Sequence, residues 1–154
     1  MILFSGVSTF VNFIILKMDV SKNHLIYPEL SYRIVGCAFD VYNQLGYGHS
    51  EKIYQRAFAE AFRGKQLMFI EQVYYNIKFN EKIIGRSFLD FEIESKIIVE
   101  LKKDYRFSKT HIDQVLDYLK VSGLKLAILF NFTKEGVLYK RIINVTETAD
   151  SNHL

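Results

Sequence analysis

Leu89-Asp90-Phe91-Glu92-Ile93-Glu94-Ser95-Lys96-Ile97-Ile98-Val99-Glu100-Leu101-Lys102 is the stretch that decides the fold. Leu89, Phe91 and Ile93 alternate with Asp90, Glu92 and Glu94, the period of a half-buried strand. Ser95-Lys96 turns the chain. Ile97, Val99 and Leu101 then carry the apolar face into another strand, leaving Ile98, Glu100 and Lys102 on the opposite side. A tight hairpin centred near Ser95 sets Asp90 roughly opposite Glu100, where cross-strand neighbours are about 5 Å apart. Two carboxylates that close repel each other unless a cation lies between them. Mg²⁺ suits such a pair, because it takes hard oxygen ligands and keeps several waters. Placed on a phosphate oxygen, it neutralises developing charge and lowers the pKa of a bound water. Lys102, on the Glu100 face, would orient that water or steady the pentacovalent charge. The competing expectation is a single exposed, charged sheet face made by Asp90, Glu92, Glu94, Glu100 and Lys102.

Upstream, Ile34, Ala38, Val41, Tyr42 and Leu45 recur at helical spacing over Tyr32 to Leu45. Gly46-Tyr47-Gly48 breaks that helix. Ser50 is placed to cap a second, striped by Ile53, Tyr54, Ala57, Phe58, Ala61 and Phe62 and ended by Gly64. From Gln72, the residues Val73, Tyr75, Ile77 and Phe79 alternate as a strand, and Asn80-Glu81-Lys82 turns into the next. Downstream, Ser108 or Thr110 caps a helix carrying Ile112, Val115, Leu116 and Leu119, closed by Gly123. Leu126 to Phe132 is nearly continuous in apolar residues, as in a central buried strand. A last strand, Val137 to Val145, follows a turn at Glu135-Gly136. The order α-α-β-β-β-α-β-β predicts a two- or three-layer α/β domain around one mixed sheet.

Composition agrees with a single core. The 154 residues include 13 Phe and 10 Tyr, enough apolar mass to exclude disorder. The formal charge of +3 permits a polyanionic partner without requiring one. Lys96, Lys102, Lys103, Arg106 and Lys109 crowd one stretch, suited either to phosphate contacts or to a solvated face. The single cysteine, Cys37, excludes an intrachain disulfide and a four-cysteine zinc site. It fits a reducing, cytoplasmic setting and reads as a small buried hydrophobe. Residues 1–17 are almost wholly apolar, yet lack the basic region of a secretory signal and the ~20 residues of a membrane span. Translation starting at Met18 is the preferred expectation, and an N-terminal membrane anchor is the alternative. The remaining boundaries expected are a leader over 18–31, the domain over 32–145 and a flexible tail over 146–154.

Further polar residues line up with the carboxylate pair. Glu51 opens the second helix, where the macrodipole favours an acid in any case, and Tyr54 taken singly reads as core. On the third helix, His111, Gln114 and Tyr118 fall at i, i+3 and i+7, a narrow polar seam beside the apolar stripe. For His111 alone, a capping or surface role is the ordinary assignment.

Taken together, Gly48-His49-Ser50-Glu51-Lys52-Ile53-Tyr54, Asp90 followed by Glu100-Leu101-Lys102, and Gln114-x-x-x-Tyr118 resemble the GxxExxY family of the PD-(D/E)xK nuclease superfamily. Gly123-Leu124-Lys125-Leu126 and Leu129-Phe130-Asn131-Phe132 also fit its pattern, and the similarity covers roughly residues 30–145. The resemblance implies a restriction-endonuclease-like core, αβββαβ, in which helices flank a mixed central sheet and an extra helix precedes it. It implies Mg²⁺-dependent phosphodiester hydrolysis, with Mn²⁺ as a substitute. Asp90 and Glu100 would be metal ligands, Lys102 the catalytic lysine, and Glu51 a further acid reaching the metal or its water. Gln114, Tyr118 and Tyr54 would brace the site or touch substrate. The implied partner is nucleic acid, DNA rather than RNA, with a homodimer or helicase-like partner for double-strand cuts. Two departures stand out. Tyr47 occupies the place of the family's usual proline, and the basic residue before the aspartate, Arg86, is farther off than usual. The alternatives to a nuclease are a catalytically silent nucleic-acid- or partner-binding module on this fold and a metal phosphohydrolase acting on a small phosphate ester.

Overall fold

The computed structural model describes residues 25–103 and 106–145. The apolar run over 1–17, the first part of the leader and the tail from Thr146 lie outside the described residues. Among those described, no helix is long and apolar enough to cross a membrane.

Helix α1 spans Pro28–Leu45, starting four residues before the expected Tyr32. Pro28 accounts for the difference: its fixed φ suits the first helical position, where the missing N–H leaves no bond unmade. Ser31 is already buried. Gly46 ends α1 at φ 67°, donating its N–H to Tyr42 O, and Gly48 follows at φ 105°. Both values belong to glycine. Helix α2 spans Glu51–Gly64. Ser50 holds the N-cap position, but its hydroxyl makes no capping bond. Its backbone carbonyl instead accepts from Ile53 N and Tyr54 N.

Strands β1 (Phe69–Phe79), β2 (Lys82–Ile93) and β3 (Ile97–Lys102) follow, then helix α3 (Lys109–Ser122) and strands β4 (Leu126–Thr133) and β5 (Gly136–Ile143). The sheet runs β1-β2-β3-β4-β5. All neighbours are antiparallel except β3 and β4, which are parallel and joined through α3. Asn80 and Glu81 both take positive φ between β1 and β2, as do Glu94 and Ser95 between β2 and β3. The first hairpin is a two-residue turn between paired Phe79 and Lys82, whose backbone matches the twist of the strands; the second has three residues between paired Ile93 and Ile97. Glu94 belongs to this turn rather than to the strand, so the expected Ser95-Lys96 turn is Glu94-Ser95-Lys96, closed by Lys96 N donating to Ile93 O.

Helices α1 and α2 cover one sheet face and α3 the other, giving three layers. The first core joins Ile34, Cys37 and Val41 to Phe58, Phe62, Phe91, Val99, Leu101 and Phe130. Phe58 is fully buried, with its ring centroid 5.4–5.8 Å from those of Phe62, Phe130 and Phe132. The second core joins Val73, Leu89 and Ile98 to Val115, Leu119, Ala127 and Leu129. The alternation expected for β3 holds, with Ile97, Val99 and Leu101 in the first core and Ile98 in the second.

One irregularity matters for the site. In the β1–β2 ladder Glu71 pairs with Phe91 and Val73 with Leu89, but Gln72, at φ 54°, and Asp90 form no pair between them. Across this break the faces exchange: Phe69 and Phe91 pack on the first core, Val73 and Leu89 on the second. The ribbon is wrenched at Asp90, which frees that residue from the regular pleat.

Candidate active site

Strands β2 and β3 pair through Phe91–Val99, Glu92–Ile98 and Ile93–Ile97, and there the backbone ladder stops. Continued by one step, the register sets Asp90 against Glu100, and side chains take over from the ladder. Asp90 N donates to Glu100 Oε2 at 2.9 Å, and Leu101 N donates to Asp90 Oδ2 at 2.8 Å. Each carboxylate thus satisfies an amide of the opposite strand, so two acids are held side by side where the strands part. The expected opposition of Asp90 and Glu100 is present.

Lys102 joins them, its Nζ 2.8 Å from Glu100 Oε1. The environment is partly dry. Glu100 is 4% exposed, while Asp90 and Lys102 are half-buried. Burial, reinforced by the Asp90 charge, lifts the Glu100 carboxyl to about 7. Burial likewise raises Asp90, against the pull of the Leu101 amide and Lys102. For Lys102 burial acts downward, but Glu100, Glu51 and Asp90 outweigh it and the ammonium is held above its ordinary value. A single exposed charged face is therefore not what these strands form. Glu100 lies inside, and Glu94 has left the strand to accept Met68 N at its Oε1.

Glu51 is near but not merged with the pair. Its Oε1 accepts Lys103 N at 2.9 Å, tying the start of α2 to the residue after Lys102. Its charge reaches both Asp90 and Lys102. Among the described residues no group of three or more His, Cys, Asp or Glu side chains is gathered as a metal site. The structure brings together Asp90, Glu100 and Lys102, and leaves Glu51 one amide away.

The helix α3 residues act on β2 from either side of Asp90. Gln114 Nε2 donates to Ser87 Oγ at 2.8 Å and to Phe88 O at 3.2 Å. Tyr118 OH donates to Glu92 Oε2 at 2.9 Å. Burial and the Glu92 carboxylate both raise the Tyr118 phenol, keeping it a donor. Gln114 and Tyr118 therefore clamp the strand around Asp90. Ser108 Oγ accepts His111 N, which makes Ser108 the cap of this helix and places His111 in its first turn.

Tyr54 sits in the core, 3% exposed. It stacks on Phe132 with centroids 4.2 Å apart and donates its hydroxyl to Gly46 O at 2.6 Å. It locks the Gly46–His49 loop ahead of Glu51, which is a supporting position rather than one open to substrate. The basic stretch is partly self-neutralised, with Lys102 on Glu100 and Lys109 on Asp113.

One residue near the site has no role in the sequence reading beyond its place in Leu129-Phe130-Asn131-Phe132. Asn131 of β4 is 1% exposed and pairs in register with Lys102. A lone amide inside the run Leu126 to Phe132 was the available signal.

A divalent cation is compatible with this donor set. Two adjacent carboxylates whose charged forms are each disfavoured by burial gain from a shared cation, and Mg²⁺ needs only one or two carboxylates beside waters and phosphate.

A sequence-family model described as the PD-(D/E)XK nuclease superfamily matches residues 28–143. No curated protein matches the chain. Among solved structures, one described as "Crystal structure of SSO0001" aligns with a TM-score of 0.48 and 13% identity, over 74% of this chain and 76% of that one.

Proposed function

Because this chain belongs to the PD-(D/E)XK nuclease superfamily, we propose that it is a Mg²⁺-dependent nuclease that hydrolyses phosphodiester bonds, with DNA as its substrate. We assign it to the GxxExxY branch on Gly48, Glu51 and Tyr54. The observation that carries this reading is the Asp90–Glu100–Lys102 constellation where β2 and β3 part.

In this mechanism Asp90 and Glu100 would hold the cation, with Mn²⁺ able to replace Mg²⁺. When bound, it would supply charge neutralisation at the scissile phosphate and a more acidic water. Lys102 Nζ, released from Glu100, donates a hydrogen bond that orients the attacking water and offsets the negative charge building on the phosphoryl oxygens. Glu51, whose carboxylate accepts the amide of Lys103 next to Lys102, would act on the same water. Gln114 and Tyr118 hold β2, and hence Asp90, in register. A homodimer or helicase-like partner would supply the second active site or the strand separation that double-strand cuts require.

The test is cleavage of single- and double-stranded DNA with and without Mg²⁺. Metal-dependent cutting that disappears in Glu100→Ala and Lys102→Ala supports the reading, and cutting that survives either change refutes the site. A second reading, a silent nucleic-acid-binding module, is favoured by the lack of a third gathered acid among the described residues. Binding without cleavage in both Mg²⁺ and Mn²⁺ would select it.

A further inference from the structure

Strand β4 reads Leu126-Ala127-Ile128-Leu129-Phe130-Asn131-Phe132-Thr133 and is buried along its whole length. Asn131 is the anomaly. Neither its Oδ1 nor its Nδ2 has a hydrogen-bond partner. An unmade bond at a buried polar atom costs about 1–3 kcal/mol, and leucine, with the same branching and number of side-chain heavy atoms, would remove the penalty. Packing alone gives no reason for an amide here.

The parallel register supplies one. Ile98 pairs with Ala127, Glu100 with Leu129 and Lys102 with Asn131. Ile98, Ala127 and Leu129 share the second core, so Lys102 and Asn131 lie on that same face, on strands ~4.8 Å apart. Both stand at the carboxyl ends of parallel strands, where open α/β sheets receive their ligands. Lys102 has three N–H donors, and its partner in the structure is Glu100.

We propose that Asn131 is a positioning residue that accepts the Lys102 ammonium when Glu100 is engaged by a cation. This rests on the nuclease reading for its purpose, but not for its geometry. A neutral carboxamide oxygen fixes the direction of the ammonium without cancelling its charge, as a carboxylate does. Lys102 thereby keeps its full charge for the phosphate and has two N–H groups free to donate. The empty hydrogen-bonding capacity of Asn131 belongs to the state in which Lys102 leans on Glu100.

The ammonium ¹⁵N–¹H signal of Lys102 tests the contact without metal or substrate. In Glu100→Ala, with the competing carboxylate gone, the signal should persist. In Glu100→Ala/Asn131→Leu its proton exchange should quicken by roughly tenfold or more, as loss of a charged hydrogen bond implies. Asn131→Ala in place of Asn131→Leu repeats the comparison with a smaller side chain. A signal equally held in the double variant, or already lost in the single one, overturns the proposal whether or not the protein cuts DNA. With Mg²⁺ and DNA, Asn131→Leu should lower kcat by roughly 10²-fold, as misplacement of a reacting group does, while KM and the calorimetric Mg²⁺ affinity hold. Asn131→Asp, which keeps an acceptor, should restore part of the loss. Unchanged kcat, or a fall in Mg²⁺ affinity instead, also overturns it. Absence of cleavage by the wild type, with the ammonium result intact, would count against the nuclease reading alone.

Discussion

Asp90 and Glu100 each hold an amide of the other's strand: Glu100 Oε2 receives Asp90 N, and Asp90 Oδ2 receives Leu101 N just past Glu100. This exchange replaces the ladder where β2 leaves β3, so the fold itself keeps two acids adjacent.

Neutral isosteres separate that structural duty from cation binding. Asp90→Asn and Glu100→Gln keep an oxygen able to accept the amides, so both variants should fold. Each should reduce Mg²⁺-dependent DNA cleavage by roughly 10²–10³-fold, the scale seen when a preorganised charge-stabilising group is lost. Each should also remove the Mg²⁺ binding heat. Cleavage assays and calorimetry on the same preparations check both.

Stability without metal should fall as pH rises. Folded Glu100 keeps its proton up to about 7, chiefly through burial, whereas a glutamate in the unfolded chain titrates near ~4.3. Between those values the native state binds the proton that the unfolded state has released. The stabilisation is complete below the lower value and disappears as pH climbs through the upper one. Its size is on the order of 3–4 kcal/mol. Urea unfolding at pH 5 and pH 8 in chelator should show wild type losing ground to Glu100→Gln at the higher pH. A difference that does not move with pH would contradict it.

Tyr118→Phe should cost about 1–2 kcal/mol, because the Tyr118–Glu92 hydrogen bond engages a carboxylate. Gln114→Ala should cost about 1 kcal/mol through Ser87 and Phe88. Neither touches the acid pair, so Mg²⁺ affinity should be retained while thermal melting shifts down. A large loss of Mg²⁺ affinity in either variant would move these residues into the site itself.

Much of this arrangement was legible in the residues. Period-two patterning gave β3 both its faces, and the short turn before Ile97 gave the Asp90–Glu100 opposition. The spacing of Gln114 and Tyr118 marked one edge of α3. The ribbon break was not legible, since Gln72 is an ordinary strand residue and its positive φ has no local signature. Glu94 continues the alternation after Ile93, so period two predicts strand there; only the turn over Glu94-Ser95-Lys96 removes it. Pro28 was a helix-start signal that the apolar periodicity, beginning later, overshadowed. Asn131 was hidden by its apolar neighbours, although a polar residue inside a fully buried strand is the informative case.

Cys37 should be inert in the native protein. It is fully buried in the first core, and burial pushes the thiol up to about 11, so little thiolate exists at neutral pH. Iodoacetamide at pH 7.5 should leave the folded protein unmodified by mass and alkylate it fully in urea. Comparable labelling of both forms would show that the α1 face opens readily.

That inertness has a practical side. Asn80-Glu81 forms the far tip of the β1–β2 hairpin, and Glu81 is exposed there, about 30 Å along the strand from Asp90. With the chain's one native sulfhydryl sealed away, Glu81→Cys would accept a fluorophore at a single position. Polarisation of its emission could then follow the capture of oligonucleotides while the reaction chemistry is left untouched.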